Sequence, residues 1–294
     1  MLLNVMKLID VHAHLESSRF KKDLDEVVNR FKDKGGKLII TSGVNPVTNR
    51  QALEISKKYD LVECSFGLYP IDAVATKFDN LADDYLRKIP VFDVDEELNW
   101  IREHADECVA IGEIGLDFKV VKDLNNIDDI KKEQEKVFRK VLELAKELGK
   151  TVVIHSRGAE ERCIEILEEV GFSSAPKGTP PAQMASADAD KVGVIMHCFN
   201  GKKALIRRCI DNGWSFSVPP VIARLNHFKM LVEMVPLEQL LTETDAPYLS
   251  PVAGERNESS NVEVTLEIIA DIKNLVKNDV AGQIFINAEK LFNL

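Results

Sequence analysis

No stretch of this 294-residue sequence approaches the ~20 consecutive apolar residues of a membrane-spanning helix, so a membrane protein is not expected. The N-terminus lacks the basic segment, long apolar stretch and small-residue cleavage site of a secretory leader; Met1–Leu8 is expected to lead straight into a first strand. Cysteine is sparse. Cys64, Cys108, Cys163, Cys198 and Cys209 are odd in number and no two have CxxC spacing. That argues against a disulfide framework and against a thiolate-held zinc or iron–sulfur cluster, and it fits a reducing cytoplasm. Basic charge is also in deficit. Thirty-eight Lys and Arg face 48 Asp and Glu, and the net charge of −10 disfavours broad binding to nucleic-acid backbones while leaving room for a small basic site.

What is present is an ordinary globular composition, 45% apolar and 29% charged. A chain of this length buries roughly three quarters of its unfolded surface and needs no disulfides to be stable. Short β-branched runs alternate with longer amphipathic stretches from end to end, which predicts βα units and a parallel sheet. The predicted strands are Lys7–His12, Lys37–Ser42, Val62–Leu68, Val109–Gly115, Thr151–His155, Val192–His197, Trp214–Val218 and Leu240–Thr244. Helical patterns cover Lys22–Lys34, Pro46–Tyr59, Asp95–Glu107, Ile127–Leu148, Glu160–Val170, Lys202–Asn212 and Ala223–Val235, and Val262–Val276 and Val280–Leu291 close the chain. Eight such units predict an α/β fold, a single (β/α)8 TIM barrel with C-terminal helices, as one domain over residues 1–294.

Two connections stand out. Residues 173–190 are rich in Ala, Pro and Ser and poor in large apolar side chains, which predicts a flexible insert. It joins a helix to a strand, so it is expected on the face opposite the active site. Phe118–Asn126 follows the fourth strand and is expected on the active face.

Four of the six histidines, His12, His14, His155 and His197, fall at the C-terminal ends of predicted strands, as do Glu113 and Asp245. Barrel enzymes place their catalytic groups at that rim. Residues i and i+2 of a strand share a side, so His12 and His14 can reach inward together. A single strand histidine is more often a core residue than a ligand. Four with two carboxylates on one rim are another matter, because buried carboxylates are costly unless paired or metal-bound. Nitrogen and carboxylate donors suit Zn²⁺, Mn²⁺, Mg²⁺, Co²⁺ or Ni²⁺. Six exceed the three protein ligands of a typical catalytic zinc, so two metal ions are expected, with Glu113 as the bridging carboxylate.

At these residues the sequence resembles the TatD-like metal-dependent deoxyribonuclease family of amidohydrolase-type barrels. The resemblance rests on Asp10–Leu15 (D-x-H-x-H-L), Gly112–Asp117 (G-E-I-G-L-D), His155–Arg157 (H-S-R), His197–Phe199 (H-C-F), Glu243–Leu249 (E-T-D-A-P-Y-L), Gly254–Glu258 (G-x-R-N-E) and the ending Asn287–Phe292. It implies one metal at His12, His14, Glu113 and Asp245 and a second at Glu113, His155 and His197. Departures are Gly67–Ile71, which lacks the histidines many relatives carry after strand three, Asn200-Gly201 after H-C-F, and Ser259 where Pro is usual. None is a ligand position, and all bear on substrate choice.

The expected chemistry is hydrolysis of a phosphodiester in DNA or a nucleotide by a metal-bound hydroxide, water on a divalent ion having its pKa lowered to about 7. Asp245 and Glu113 are the catalytic candidates, with Asp245 as the proton carrier. Arg157 and Arg256 are candidate phosphate binders, since a guanidinium matches a phosphate bidentately. Tyr69 is a candidate for stacking on a base. Lys202-Lys203 with Arg207-Arg208 is either a solvated helix face or a backbone contact. Two other readings stay open: hydrolysis of a small ester, amide or aminoacyl-tRNA ester at the same metals, and a non-enzymatic scaffold stabilised by metal.

Overall fold

The computed structural model describes residues 6–78, 81, 89–173 and 192–294. Eight strands lie in one sheet in chain order, every neighbouring pair parallel: β1 (Leu8–Ala13), β2 (Gly36–Ser42), β3 (Val62–Phe66), β4 (Ala110–Gly115), β5 (Thr151–His155), β6 (Val194–His197), β7 (Ser215–Val218) and β8 (Leu240–Thr242). The helices are α1 (Leu24–Asp33), α2 (Pro46–Lys58), α3 (Pro70–Ala75), α4 (Val94–Glu103), α5 (Ile127–Leu148), α6 (Glu160–Val170), α7 (Lys203–Asp211), α8 (Asn226–Met234), α9 (Val262–Lys273) and α10 (Lys277–Phe292). This is the barrel that the alternation predicts, with α9 and α10 as its closing helices.

Local chemistry explains the boundaries. Strands β1, β4 and β7 are buried at every residue, as a sheet covered on both faces requires. Helix α2 starts on the Asn45 side chain, which accepts from Val47 N and Thr48 N, with Pro46 in the first turn where no N–H is missed. Helix α5 buries Ile130, Gln134, Val137, Phe138 and Val141 at helical spacing and stops at Gly149, whose φ of 63° suits a residue without Cβ.

Three departures from the predicted pattern have physical reasons. Helix α3 follows β3 directly and was hidden because its six residues are too few to show a period. The predicted helix Asp95–Glu107 ends early at Glu103, and a separate 3₁₀ turn covers Ala105–Glu107. The predicted helix Ala223–Val235 is split into a 3₁₀ turn at Pro220–Ala223 and α8, whose N-cap Leu225 is extended. The insert at 173–190 falls, but for Ser173, outside the described residues.

The ring closes between β8 and β1 through side chains as much as through backbone. Asp10, fully buried, accepts from Thr244 N at 2.8 Å and Thr244 Oγ1 at 2.6 Å, while Thr242 Oγ1 donates to Ile9 O at 2.6 Å. Asp245 N donates to His12 O at 2.9 Å and His14 N to Ala246 O at 2.7 Å. Burial raises the Asp10 carboxyl to about 7, against the lowering effect of its hydrogen bonds. Asp10→Ala leaves buried donors on Thr244 unpaired, at a cost of about 1–3 kcal/mol each. Its thermal midpoint, followed by circular dichroism, is expected to fall by about 5–10 °C. An unshifted midpoint would show that the seam does not depend on Asp10.

Candidate metal centre

The C-terminal rim of the barrel gathers all six expected donors. His12 lies in β1 and His14 just beyond it, Glu113 in β4, His155 and His197 at the ends of β5 and β6, and Asp245 shortly after β8. The strands can carry them this close only where backbone is bare. A Cβ on Gly115 would lie 2.0 Å from His155 O, and one on Gly67 would lie 2.3 Å from Glu113 N. Asp245 has φ +54° and Cys198 φ +44°, so two non-glycine residues at this rim hold left-handed backbone, a strain that clusters at functional sites.

Glu113 occupies the middle, 4% exposed. Its Oε2 lies 3.6 Å from both His12 Nε2 and His14 Nε2, and its Oε1 lies 2.5 Å from His155 Nδ1 and 3.9 Å from His197 Nε2. Asp245 Oδ1 lies 3.3 Å from His14 Nε2 and 3.7 Å from His12 Nε2. Most of these separations are too long for hydrogen bonds. They match donors aimed at a common point, because two ligands about 2.1 Å from one tetrahedral ion sit roughly 3.4 Å apart. His12 Nε2 is fully buried and has no hydrogen-bond partner, a costly state that a cation would relieve. The residues therefore fit divalent metal.

Among the described residues, two triads have donor atoms mutually within 4.8 Å: His12, His14 and Asp245, and His12, Glu113 and His197. His12 belongs to both groups, while His155 joins through its contact with Glu113. Its other nitrogen, Nε2, is 3.2 Å from Asp117 Oδ2.

The far sides of the rings are held by residues that the sequence reading did not single out. His197 Nδ1 donates to Glu243 Oε2 at 2.6 Å, and Glu243 also accepts from Ser217 Oγ and Cys198 N. A carboxylate only accepts, so Nδ1 carries a proton, and Nε2 is the nitrogen that would hold a cation on the Glu113 side. His14 Nδ1 likewise faces Ser42 O at 3.0 Å and Glu16 Oε1 at 3.2 Å, and His12 Nδ1 pairs with Ser42 Oγ at 3.1 Å. Glu243 was within reach of sequence reasoning. It precedes Asp245 by two positions, the same-side spacing that links His12 and His14. Ser42 and Glu16 carried no such signal.

The electrostatics are those of a charged cluster: burial opposes charge on every ring, yet neighbouring carboxylates raise His14, His155 and His197 above the usual imidazole range, and only His12 is lowered. Burial, then the neighbouring His197, holds His12 well below the usual imidazole range. Burial opposes charge on His197, but Glu243 prevails and raises it to about 9. Burial also opposes charge on Glu113, yet His155, His197 and His12 hold its carboxyl well below the usual range.

The expected substrate contacts fare unequally. Arg157 stands at the rim and is partly exposed; it donates to Asp117 Oδ2 from Nε at 2.8 Å, beside His155. Tyr69 is corrected as a stacking residue. Its ring is buried edge-on against His155 with centroids 5.0 Å apart, and its hydroxyl donates to Asp117 Oδ2 at 2.7 Å. No base can lie on it. Arg256 is corrected too. Nη1 and Nη2 donate to the two oxygens of Asp23 at 2.8 and 2.5 Å, and Nη1 also donates to Arg19 O at 2.7 Å, so Arg256 clamps the loop after β1 to the loop after β8. On α7, Arg208 is paired with Glu168, and Lys202, Lys203 and Arg207 are exposed.

Comparison with known proteins agrees with this geometry. The family profile described as TatD related DNase matches residues 9–293. A protein of Methanocaldococcus jannaschii named as an uncharacterized metal-dependent hydrolase is 34% identical, covering 98% of this chain and 97% of its own. The human deoxyribonuclease TATDN3 is 30% identical, covering 97% and 94%. Among solved structures, a TatD homologue from Escherichia coli superimposes with a TM-score of 0.77 at 21% identity, over 99% of both chains, which supports the barrel.

Proposed function

The chain belongs to the TatD-related DNase family, and from that premise we propose that it is a metal-dependent deoxyribonuclease that hydrolyses phosphodiesters in single strands or at DNA ends. The observation that carries this reading is Glu113, with one oxygen towards His12 and His14 and the other towards His155 and His197. On this reading Glu113 would be shared between two divalent ions, with His12, His14 and Asp245 completing the donors for one and His155 and His197 those for the other.

Bound there, divalent ions supply Lewis-acid polarisation of a phosphate oxygen and acidify water. The protein supplies the rest. Ser42 and Glu243 keep His14 and His197 oriented with Nε2 towards the centre. Asp245, whose side chain is 17% exposed, is the carboxylate nearest solvent in the cluster and is placed to take a proton from attacking water and return it to the leaving oxygen. Arg157 contacts a non-bridging phosphate oxygen through the part of its guanidinium that faces solvent. Residues 1–294 act as one domain, a reading supported by the family match over residues 9–293. No helix among the described residues is long and apolar enough to cross a membrane, and the five unpaired cysteines suit a reducing cytoplasm.

The test uses a fluorescent single-stranded oligonucleotide and protein stripped by a chelator. Stripped protein is expected to release no product, and Mn²⁺, Mg²⁺ or Zn²⁺ to restore cleavage. Reloading is also expected to raise the thermal midpoint, since ligand at a hundred times its dissociation constant stabilises the native state by about 2.7 kcal/mol. Cleavage indifferent to stripping, or no cleavage with any ion, would sink the reading.

A further inference from the structure

The turn that carries Asp245 also carries an aromatic ring the chemistry above does not use. Tyr248 N donates to Asp245 O at 2.8 Å, so the two side chains leave one tight turn. Tyr248 is 45% exposed, in contrast to the buried Tyr69, and its ring meets His14 edge-on with centroids 6.2 Å apart. Arg19, from the loop after β1, lies over the same ring at 5.4 Å. Arg19 is exposed, and no carboxylate pairs with it among the described residues. The Arg256 clamp fixes its backbone, with Nη1 on Arg19 O. The Tyr248 side is braced as well. Arg224 donates twice to Ser250 O, and Asn257 Nδ2 donates to Thr244 O at 2.8 Å. An exposed ring and a cation with no carboxylate partner among the described residues, each on a braced backbone, thus sit at the edge of the metal centre.

Resting on the nuclease reading, we propose that Tyr248 and Arg19 form its nucleoside seat: the base beside the scissile linkage stacks on Tyr248, and Arg19 pairs with an adjoining phosphate. A base can lie on that ring only after leaving its own helical stack, so the seat selects single-stranded or frayed nucleic acid. The backbones that carry both side chains are braced, which lowers the cost of ordering the seat on binding. Arg19 adds to Arg157 a local positive charge against the chain's net charge of −10.

The test compares wild type with Y248A, Y248F and R19A on three substrates: a single-stranded oligonucleotide, the same strand with an abasic residue beside the cleaved linkage, and methyl p-nitrophenyl phosphate. Stacking worth about 1–3 kcal/mol per base predicts a KM for Y248A on the intact strand about 5–150-fold above wild type, with kcat little changed. Y248F keeps the ring and is expected to behave as wild type. On the abasic strand, wild type and Y248A are expected to converge. R19A is expected to raise KM about tenfold and flatten its salt dependence. An unchanged KM in Y248A, or a defect that persists undiminished on the abasic strand, overturns the proposal. So does equal KM for intact and abasic strands in wild type, a comparison that needs no variant to fold. The small diester has no base to stack. Wild type that hydrolyses neither it nor the strand refutes the hydrolase reading, whereas wild type that hydrolyses the diester alone refutes the seat.

Discussion

D245N is expected to cut turnover of a single-stranded oligonucleotide by about a thousandfold while the protein stays folded and keeps metal. The magnitude follows from the loss of a positioned acid–base group, usually a factor of 10²–10⁴. The variant is isosteric, so the left-handed turn at Asp245 and the hydrogen bond from Tyr248 N survive. Asn tolerates positive φ better than most residues, so folding is not the expected casualty. What disappears is a basic oxygen 3.3 Å from His14 Nε2 and 3.7 Å from His12 Nε2. His12, His14 and Glu113 remain as donors, so elemental analysis is expected to find the metal content close to wild type. Turnover near the wild-type value would remove Asp245 as proton carrier. Metal lost along with turnover would mean that Asp245 acts mainly as a ligand.

The barrel, and the gathering of the six expected donors at its rim, were legible in the sequence because both follow short periods. Strands such as Ile39-Ile40 and Val152–Ile154 are continuous apolar runs, and the donors sit where those runs end. The i, i+2 spacing of His12 and His14 predicted a shared direction, and both Nε2 atoms do face Glu113 Oε2. Contacts between distant segments were not legible. Nothing in the sequence tells that Tyr69 packs inward on His155, or that Arg256 finds Asp23 across 233 positions. An arginine in a motif near the active rim has the same local signature whether it meets a phosphate or a carboxylate. The same limit hid Tyr248. Its place beside His14 comes from the closure of β8 onto β1, which brings residues more than 230 positions apart together.

E113Q is expected to be the most damaging single change in the protein. The substitution keeps shape and volume and removes one negative charge from a site where four imidazoles converge, two of them, His12 and His197, with ring centroids 3.9 Å apart. In two-metal sites the ions lie roughly 3.5–4 Å apart, and their mutual repulsion is tolerable only with anionic ligands between them. Among the described residues, Glu113 is the only carboxylate that faces both donor groups; Asp245 faces His12 and His14 alone within 4 Å, and Glu243 and Asp117 lie on the outer sides of His197 and His155. A neutral amide binds metal weakly and cannot offer two equivalent oxygens. Purified without added metal, E113Q is therefore expected to hold at most one ion per chain and to cleave the oligonucleotide at less than about a thousandth of the wild-type rate. Excess Mn²⁺ is not expected to rescue it, which separates it from variants that merely weaken one site. Its fold rests on the seam and the core, so its far-ultraviolet circular dichroism is expected to match that of stripped wild type. Two ions per chain in E113Q, or cleavage restored by metal titration, would show that the ions do not depend on a shared carboxylate.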